Sequence, residues 1–201
     1  QQRAEVQLRV TSLGSDRALK VLVDGLVDLA IVMNNPLLTT APEMVLEPLY
    51  DEPIEVLMAA NHPLAQYDRV PVAELTGFPH VIFKDGYGMQ RLVRELFDRQ
   101  GKNLNAVVEL NTLDAFRGVV RQGNLISILP YSGLIEARSD PTLAVRSIAE
   151  SRSDPELTRQ VVLVTTEDRL QIPPVRQFFD LVRDTIAREV QRDRETQLIS
   201  I

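Results

Sequence analysis

The sequence predicts an α/β fold in two lobes, because strand, helix and strand follow one another twice, with a third strand-to-helix turn between them. In the first unit Val6, Leu8 and Val10 alternate as a strand. Gly14-Ser15 then offers an N-cap hydroxyl, Leu19, Leu22 and Val23 recur at helical spacing, and Gly25 stands where a helix end calls for a left-handed residue. Leu29 to Met33 is an unbroken apolar run, which suits a strand of a parallel sheet covered on both faces.

The second unit repeats this order. Val107 to Leu110 reads as a strand, Asn111-Thr112 as a cap, Leu113 to Arg121 as a helix with Phe116, Val119 and Val120 on one side, Gly123 as its stop, and Leu125 to Leu129 as a buried strand ended by Pro130. Between the units, Val81-Ile82-Phe83 runs into Lys84-Asp85-Gly86-Tyr87-Gly88, after which Leu92, Val93, Leu96 and Phe97 mark a helix that stops at Gly101. Near the end, Gln160 to Thr165 is an apolar strand. Pro173-Pro174 introduces a helix whose stripe is Val175, Phe178, Phe179, Val182, Ile186 and Val190.

That last stripe needs a core to cover, and residues 1–57 alone are too few to bury one. The chain is therefore expected to form lobe I from residues 1–57, lobe II from 58–160, and to return to lobe I over 161–190, with a frayed polar tail at 191–201 and a surface loop at Ser151 to Pro155. A cleft between lobes is where a small ligand is usually held.

Composition narrows the function. With 44% hydrophobic and 25% charged residues over 201 positions, the chain can bury a real core. No run approaches the roughly 20 apolar residues of a membrane helix, and Gln1-Gln2-Arg3 begins no signal peptide. The absence of cysteine removes disulfides, thiolate catalysis and zinc-thiolate sites. A net charge of −6 disfavours holding nucleic acid, and Arg117 and Arg121 share a helix face with no third basic neighbour. His62 and His80 are the two histidines and lie far apart, without metal-like spacing. No G-x-S-x-G occurs, and Asp51-Glu52 and Glu167-Asp168 sit in polar, turn-like settings, so neither a catalytic set, a metal nor a cofactor is expected.

Ligands of α/β sheets gather at strand carboxyl ends and helix N-termini. On the first lobe this selects Thr11, Ser12, Ser15, Met33, Asn34 and Asn35; on the second, Lys84, Tyr87, Arg91, Asn111, Thr112, Leu129 and Pro130. Each has an ordinary alternative: Ser15 and Thr112 as caps, Asn34-Asn35-Pro36 as a turn, Lys84 and Arg91 as solvated charges. The segment Lys84 to Arg91 combines glycines, a helix start and two cations, which suits an oxyanion. It is not a nucleotide motif, since the third glycine of G-x-G-x-x-G is missing.

Leu22 to Ile31 as Leu-x-x-Gly-x-x-Asp-Leu-Ala-Ile, then Pro48-Leu49-Tyr50, His62-Pro63-Leu64-Ala65, and Val120-Arg121-Gln122-Gly123 leading to Ile128-Leu129-Pro130, resemble the effector-binding domain of LysR-type transcriptional regulators over roughly residues 5 to 188. Lys84 to Arg91, Asn111 to Gly118 and Asp168 to Pro174 look more narrowly like cyanobacterial nitrogen-assimilation regulators. The resemblance implies a two-lobed, periplasmic-binding-protein-like (type 2) fold in the cytoplasm. It also implies a small anionic effector between the lobes, such as nitrite, a carboxylate or a phosphorylated metabolite. Further implications are antiparallel homodimers, tetramers in the full-length protein, and DNA contacts only through an N-terminal helix-turn-helix that this sequence lacks. Family domains open with a strand and helix ahead of the segment matching Val6 to Val10, and that element is also absent. For the dimer the resemblance points to the helix near Ser15 to Asp24 as a contributor, with Val21 and Leu26 expected as partly exposed apolar residues or, alternatively, as core. A transporter's solute-binding protein and an enzyme on the same fold are the alternatives.

Overall fold

The computed structural model describes residues 6–35, 43–150 and 156–199. Pro36 and the loop expected at Ser151 to Pro155 lie outside the described residues. The chain divides into two compact units, one formed by 1–50 with 160–201 and the other by 51–159. The crossings fall after Tyr50 and after Arg159, where the sequence reading places them after residues 57 and 160.

In the first unit, α1 (Ser15–Val23) leads to β1 (Ala30–Met33). Gly25 has φ +81°, the Leu26 N–H reaches the Val21 carbonyl at 2.9 Å, and the helix closes in the left-handed turn that glycine permits. The N-cap is Gly14 rather than Ser15, which is the first helical residue. Two long strands, β2 (Met44–Ala59) and β8 (Thr158–Thr166), belong to both units, and in this unit the order is β1, β8, β2. β1 runs antiparallel to β8, with Ala30 opposite Val164 and Met33 opposite Val161. Leu22, Ala30, Val32, Val162 and Val164 form the core. α5 (Glu167–Leu170) and α6 (Pro173–Ile199) complete the unit, with Val175 and Phe179 buried.

Three expectations are corrected here. Residues 6–14 form no strand, and Val6, Leu8 and Val10 are exposed, because β1 is paired with β8 on one side and offers these residues no ladder among the described residues. Ile31 is correspondingly 54% exposed, so β1 is antiparallel and open on one face instead of parallel and covered on both. The tail expected to fray from Gln191 continues as α6 to Ile199, its Gln, Arg and Glu residues being good helix formers.

In the second unit the latter part of β2 is central. It pairs antiparallel with β6 (Ser127–Pro130), Leu57 opposite Ser127, and with β7 (Leu143–Ala149), Leu57 opposite Val145. β3 (Arg69–Pro71) adds to β7 in parallel. β4 (His80–Phe83) and β5 (Ala106–Leu110) are parallel, and His80 bridges in parallel to Ile126, just before β6. α2 (Val72–Leu75) follows β3, α3 (Gly88–Arg99) follows β4, and α4 (Leu113–Val120) follows β5. α4 ends at Val120 with Arg121 as C-cap, short of the stop expected at Gly123, which has no left-handed backbone. Phe116, Val120, Val81, Leu57 and Leu129 are the centre of the core. No helix among the described residues is long and apolar enough to cross a membrane.

Candidate functional site

Parallel pairing places three of the second unit's predicted segments at one end of their strands. β4 ends at Phe83 beside Leu110 of β5, so Lys84 and Asn111 emerge side by side, and the Lys84 N–H donates to the Leu110 carbonyl at 3.0 Å. On the other flank of β4, the Val81 N–H donates to the Ile126 carbonyl and Ser127 Oγ donates to the Val81 carbonyl at 2.8 Å. Pro130 therefore ends its strand on the same side as Lys84.

The turn from β4 into α3 is built by Gly86, whose φ of +88° reverses the chain without strain. Tyr87 is the N-cap and makes no side-chain cap, its ring being stacked on Phe83 at 5.1 Å. The Gln90 N–H donates to the Tyr87 carbonyl at 3.0 Å, which leaves the Gly88 and Met89 amides to face the positive end of the helix dipole without a side-chain cap. Lys84 is exposed and Arg91 half-buried at this turn. Gln90, only 7% exposed, holds its Nε2 with no hydrogen-bond partner among the described residues. Sequence reasoning passed over Gln90, since a polar residue on a helix carries no sign of its burial.

Asn111 and Thr112 are exposed, and Thr112 is the N-cap of α4 with no side-chain capping bond. Leu129 differs from the expectation: it is 1% exposed inside the core cluster, so its side chain is a packing group. Pro130 is buried as well. Arg117 bonds Asp114 and pairs with Glu136 at 2.6 Å. Arg121 pairs with Asp140 at 2.6 Å; bonds from Thr142, followed by that from Arg121, hold the Asp140 carboxyl down at about 2.

In the first unit, Ser15 Oγ accepts the Met33 N–H at 3.2 Å, which brings Ser15 to the end of β1. Asn34 is held twice by Gln160: its N–H donates to the Gln160 carbonyl at 2.8 Å and its Nδ2 to Gln160 Oε1 at 2.7 Å. Asn35 is 7% exposed. Thr11 and Ser12 are exposed and line, with Val10, Ala30 and Ile31, an open cleft of about 310 Å³. Glu52, expected in a polar, turn-like setting, lies instead within β2, 5% exposed and paired with Arg159; its partner and the Asn34 partner of Gln160 lie more than a hundred positions away, where no local pattern reaches.

Mixed-sheet α/β units with polar turns collected at strand ends define a ligand-binding class of domain. Within that class the chain belongs to the family described as the LysR substrate binding domain, whose model matches residues 1–187. Its fold is accordingly the type 2 periplasmic-binding-protein-like fold of LysR effector-binding domains. It is 50% identical over 190 residues to a "Probable nitrogen assimilation transcriptional activator" of Synechococcus elongatus, covering 94% of this chain and 60% of that protein. A protein of the same description from Synechocystis sp. is 49% identical over 182 residues, covering 90% of this chain and 59% of that protein. The chain thus spans about 60% of the length of these relatives. Among solved structures, the effector binding domain of QuiR in complex with shikimate superposes with a TM-score of 0.73 at 23% identity, covering 87% of this chain and 79% of that one. The Synechocystis CcmR regulatory domain in complex with 2-PG does so with 0.73 at 20%, covering 86% and 80%.

Proposed function

We propose that this chain is the effector-sensing part of a transcription activator of nitrogen assimilation, and that its effector is a small anion. The observation that carries the anion is the uncapped first turn of α3 with the buried, unpartnered amide of Gln90, beside Lys84 and Arg91. The first two helical N–H groups, the Gln90 side-chain N–H and two cations are all donors, and a carboxylate, phosphate or nitrite answers all of them. The shikimate held by the QuiR effector binding domain is a carboxylate, which agrees with this reading.

DNA binding belongs to residues outside this acidic chain, and effector binding acts by favouring one of two arrangements of the whole oligomer. The exposed Leu26 and Val23 and half-buried Val21 supply an apolar surface for a homodimer.

A thermal-shift screen of nitrite, small carboxylates and phosphorylated acids tests the proposal. Binding at 100 times the dissociation constant stabilises by about 2.7 kcal/mol. Stabilisation by sugars or cations alone, with none by anions, would refute it. For the whole protein, the anion that binds here must also alter operator affinity.

A further inference from the structure

We infer that Glu52 and Glu55, two buried carboxylates on β2, are positioning residues: they fix the turn Tyr131–Gly133 and through it shape the anion site at the neighbouring start of α3. The inference rests on the proposed function for that anion site. Every residue it uses belongs to the second unit, Asp51–Arg159. The turn follows Pro130 directly, so it stands at the strand end that also carries Lys84, where β6 runs beside β4. It is closed by the Leu134 N–H, which donates to the Tyr131 carbonyl at 2.9 Å.

Each residue of the turn has its own fastening. Arg159 donates from Nε at 2.8 Å and from Nη2 at 2.6 Å to one oxygen of Glu52, and the other oxygen accepts the Ser132 N–H at 2.9 Å. Both oxygens are committed. Glu55 pairs with Arg138, whose guanidinium lies over the Tyr131 ring, 4.6 Å from its centre. Leu113, the first residue of α4, presses on Gly133 so closely that a Cβ there would meet its Cδ2 at 3.0 Å. Three residues are thus held from three directions, while Tyr131 and Ser132 stay exposed. A plain connection needs no such bracing. Burying two carboxylates costs stability unless each charge is matched, and apolar residues of similar size commonly serve stability as well or better. A binding site has the opposite need, since it must hold its backbone at a fixed distance from the next element through supporting side chains. The turn is therefore a rigid neighbour of the Lys84 turn, and the two carboxylates set its place.

Nitrogen-15 relaxation, and a titration followed at the Gly88 and Met89 amides with sodium nitrite and inorganic phosphate as probes, test this on the 201-residue chain. In Arg159→Met, which strands the Glu52 charge, order parameters at Ser132 and Gly133 should fall from about 0.85 to below about 0.6, while those of Val93 and Leu96 in α3 hold. The probe that binds the unmodified chain more tightly should then bind about tenfold more weakly, the scale on which outer-shell partners act. Adding Glu52→Gln to that variant removes the stranded charge and keeps an oxygen for the Ser132 N–H, so order and affinity return toward their original values. A merely structural pair would move stability and leave affinity alone. Arg138→Met, which frees Tyr131, serves if Arg159→Met does not fold, with the same loss of affinity expected. An ordered turn in both variants, or a loosened turn with unchanged affinity, overturns the positioning role alone. Gly88 and Met89 amides that respond to neither probe in the unmodified chain overturn the anion site and this role with it.

Discussion

The Ser15 hydroxyl accepts the Met33 backbone N–H at 3.2 Å, tying the first residue of α1 to the last residue of β1. Because Gly14 and not Ser15 caps the helix, Ser15→Ala removes a tertiary bond and leaves α1 intact. The expected cost is about 1 kcal/mol, read from the urea midpoint, with faster amide exchange at Met33. Faster exchange in the first turn of α1 with Met33 still protected would instead make Ser15 a cap.

His80 makes stability depend on pH. It is fully buried, its Nδ1 lies 2.9 Å from the Phe78 carbonyl, and its ring meets Phe97 edge-on at 4.9 Å. Burial holds the ring neutral and lowers its pKa to about 4, against the ordinary 6.5 that the unfolded chain shows. Between these values the unfolded state binds the proton and the folded state does not. Stability is therefore whole above pH 6.5 and lost as pH falls toward 4, by about 2 kcal/mol at pH 5. His62, also buried and lowered by burial, adds in the same direction. Denaturation at pH 7 and pH 5 checks the loss, and an imidazole resonance that titrates near 6.5 in the folded protein would contradict it.

These contacts show which features could be read in advance. Gly25 and Gly101 were legible as helix ends because a left-handed C-terminal residue is a local requirement, and both have positive φ. β2 was not legible as one strand, and it runs through both Pro48 and Pro53. Both precede the stretch that pairs with β6 and with β7, from Glu55 to Leu57, so neither withholds an N–H from that stretch. Val6 to Val10 shows the reverse failure, alternation without a partner strand. Of the candidate site, the turns were legible from topology. Their fastenings, Glu52 to Arg159 and Asn34 to Gln160, depend on tertiary proximity that no local pattern encodes.

Leu129 separates packing from binding. Its side chain lies in the core with Leu57, Val81 and Phe116, while its backbone faces Glu55 across the β6 to β2 ladder. Leu129→Ala should destabilise the chain by about 2 to 5 kcal/mol, as large-to-small core substitutions do, with no selective loss of anion affinity once folding is accounted for. A stable variant with weakened binding would put Leu129 in the site after all.

Gln90 and Lys84 carry the anion hypothesis in opposite ways. Lys84 is exposed, so Lys84→Ala should alter stability by less than about 0.5 kcal/mol while weakening anion binding by roughly 1 to 3 kcal/mol, the range for a hydrogen bond to a charged group. Gln90 is buried with an unpartnered donor, and an apolar side chain of similar shape removes that unsatisfied group. Gln90→Met should therefore leave stability unchanged or raise it by about 1 kcal/mol while lowering anion affinity. Calorimetric titration with the anion that gives the largest thermal shift, alongside urea denaturation of both variants, decides the matter. Lower stability with unchanged affinity in Gln90→Met, together with unchanged affinity in Lys84→Ala, would show that the amide serves the core and that the anion binds away from α3.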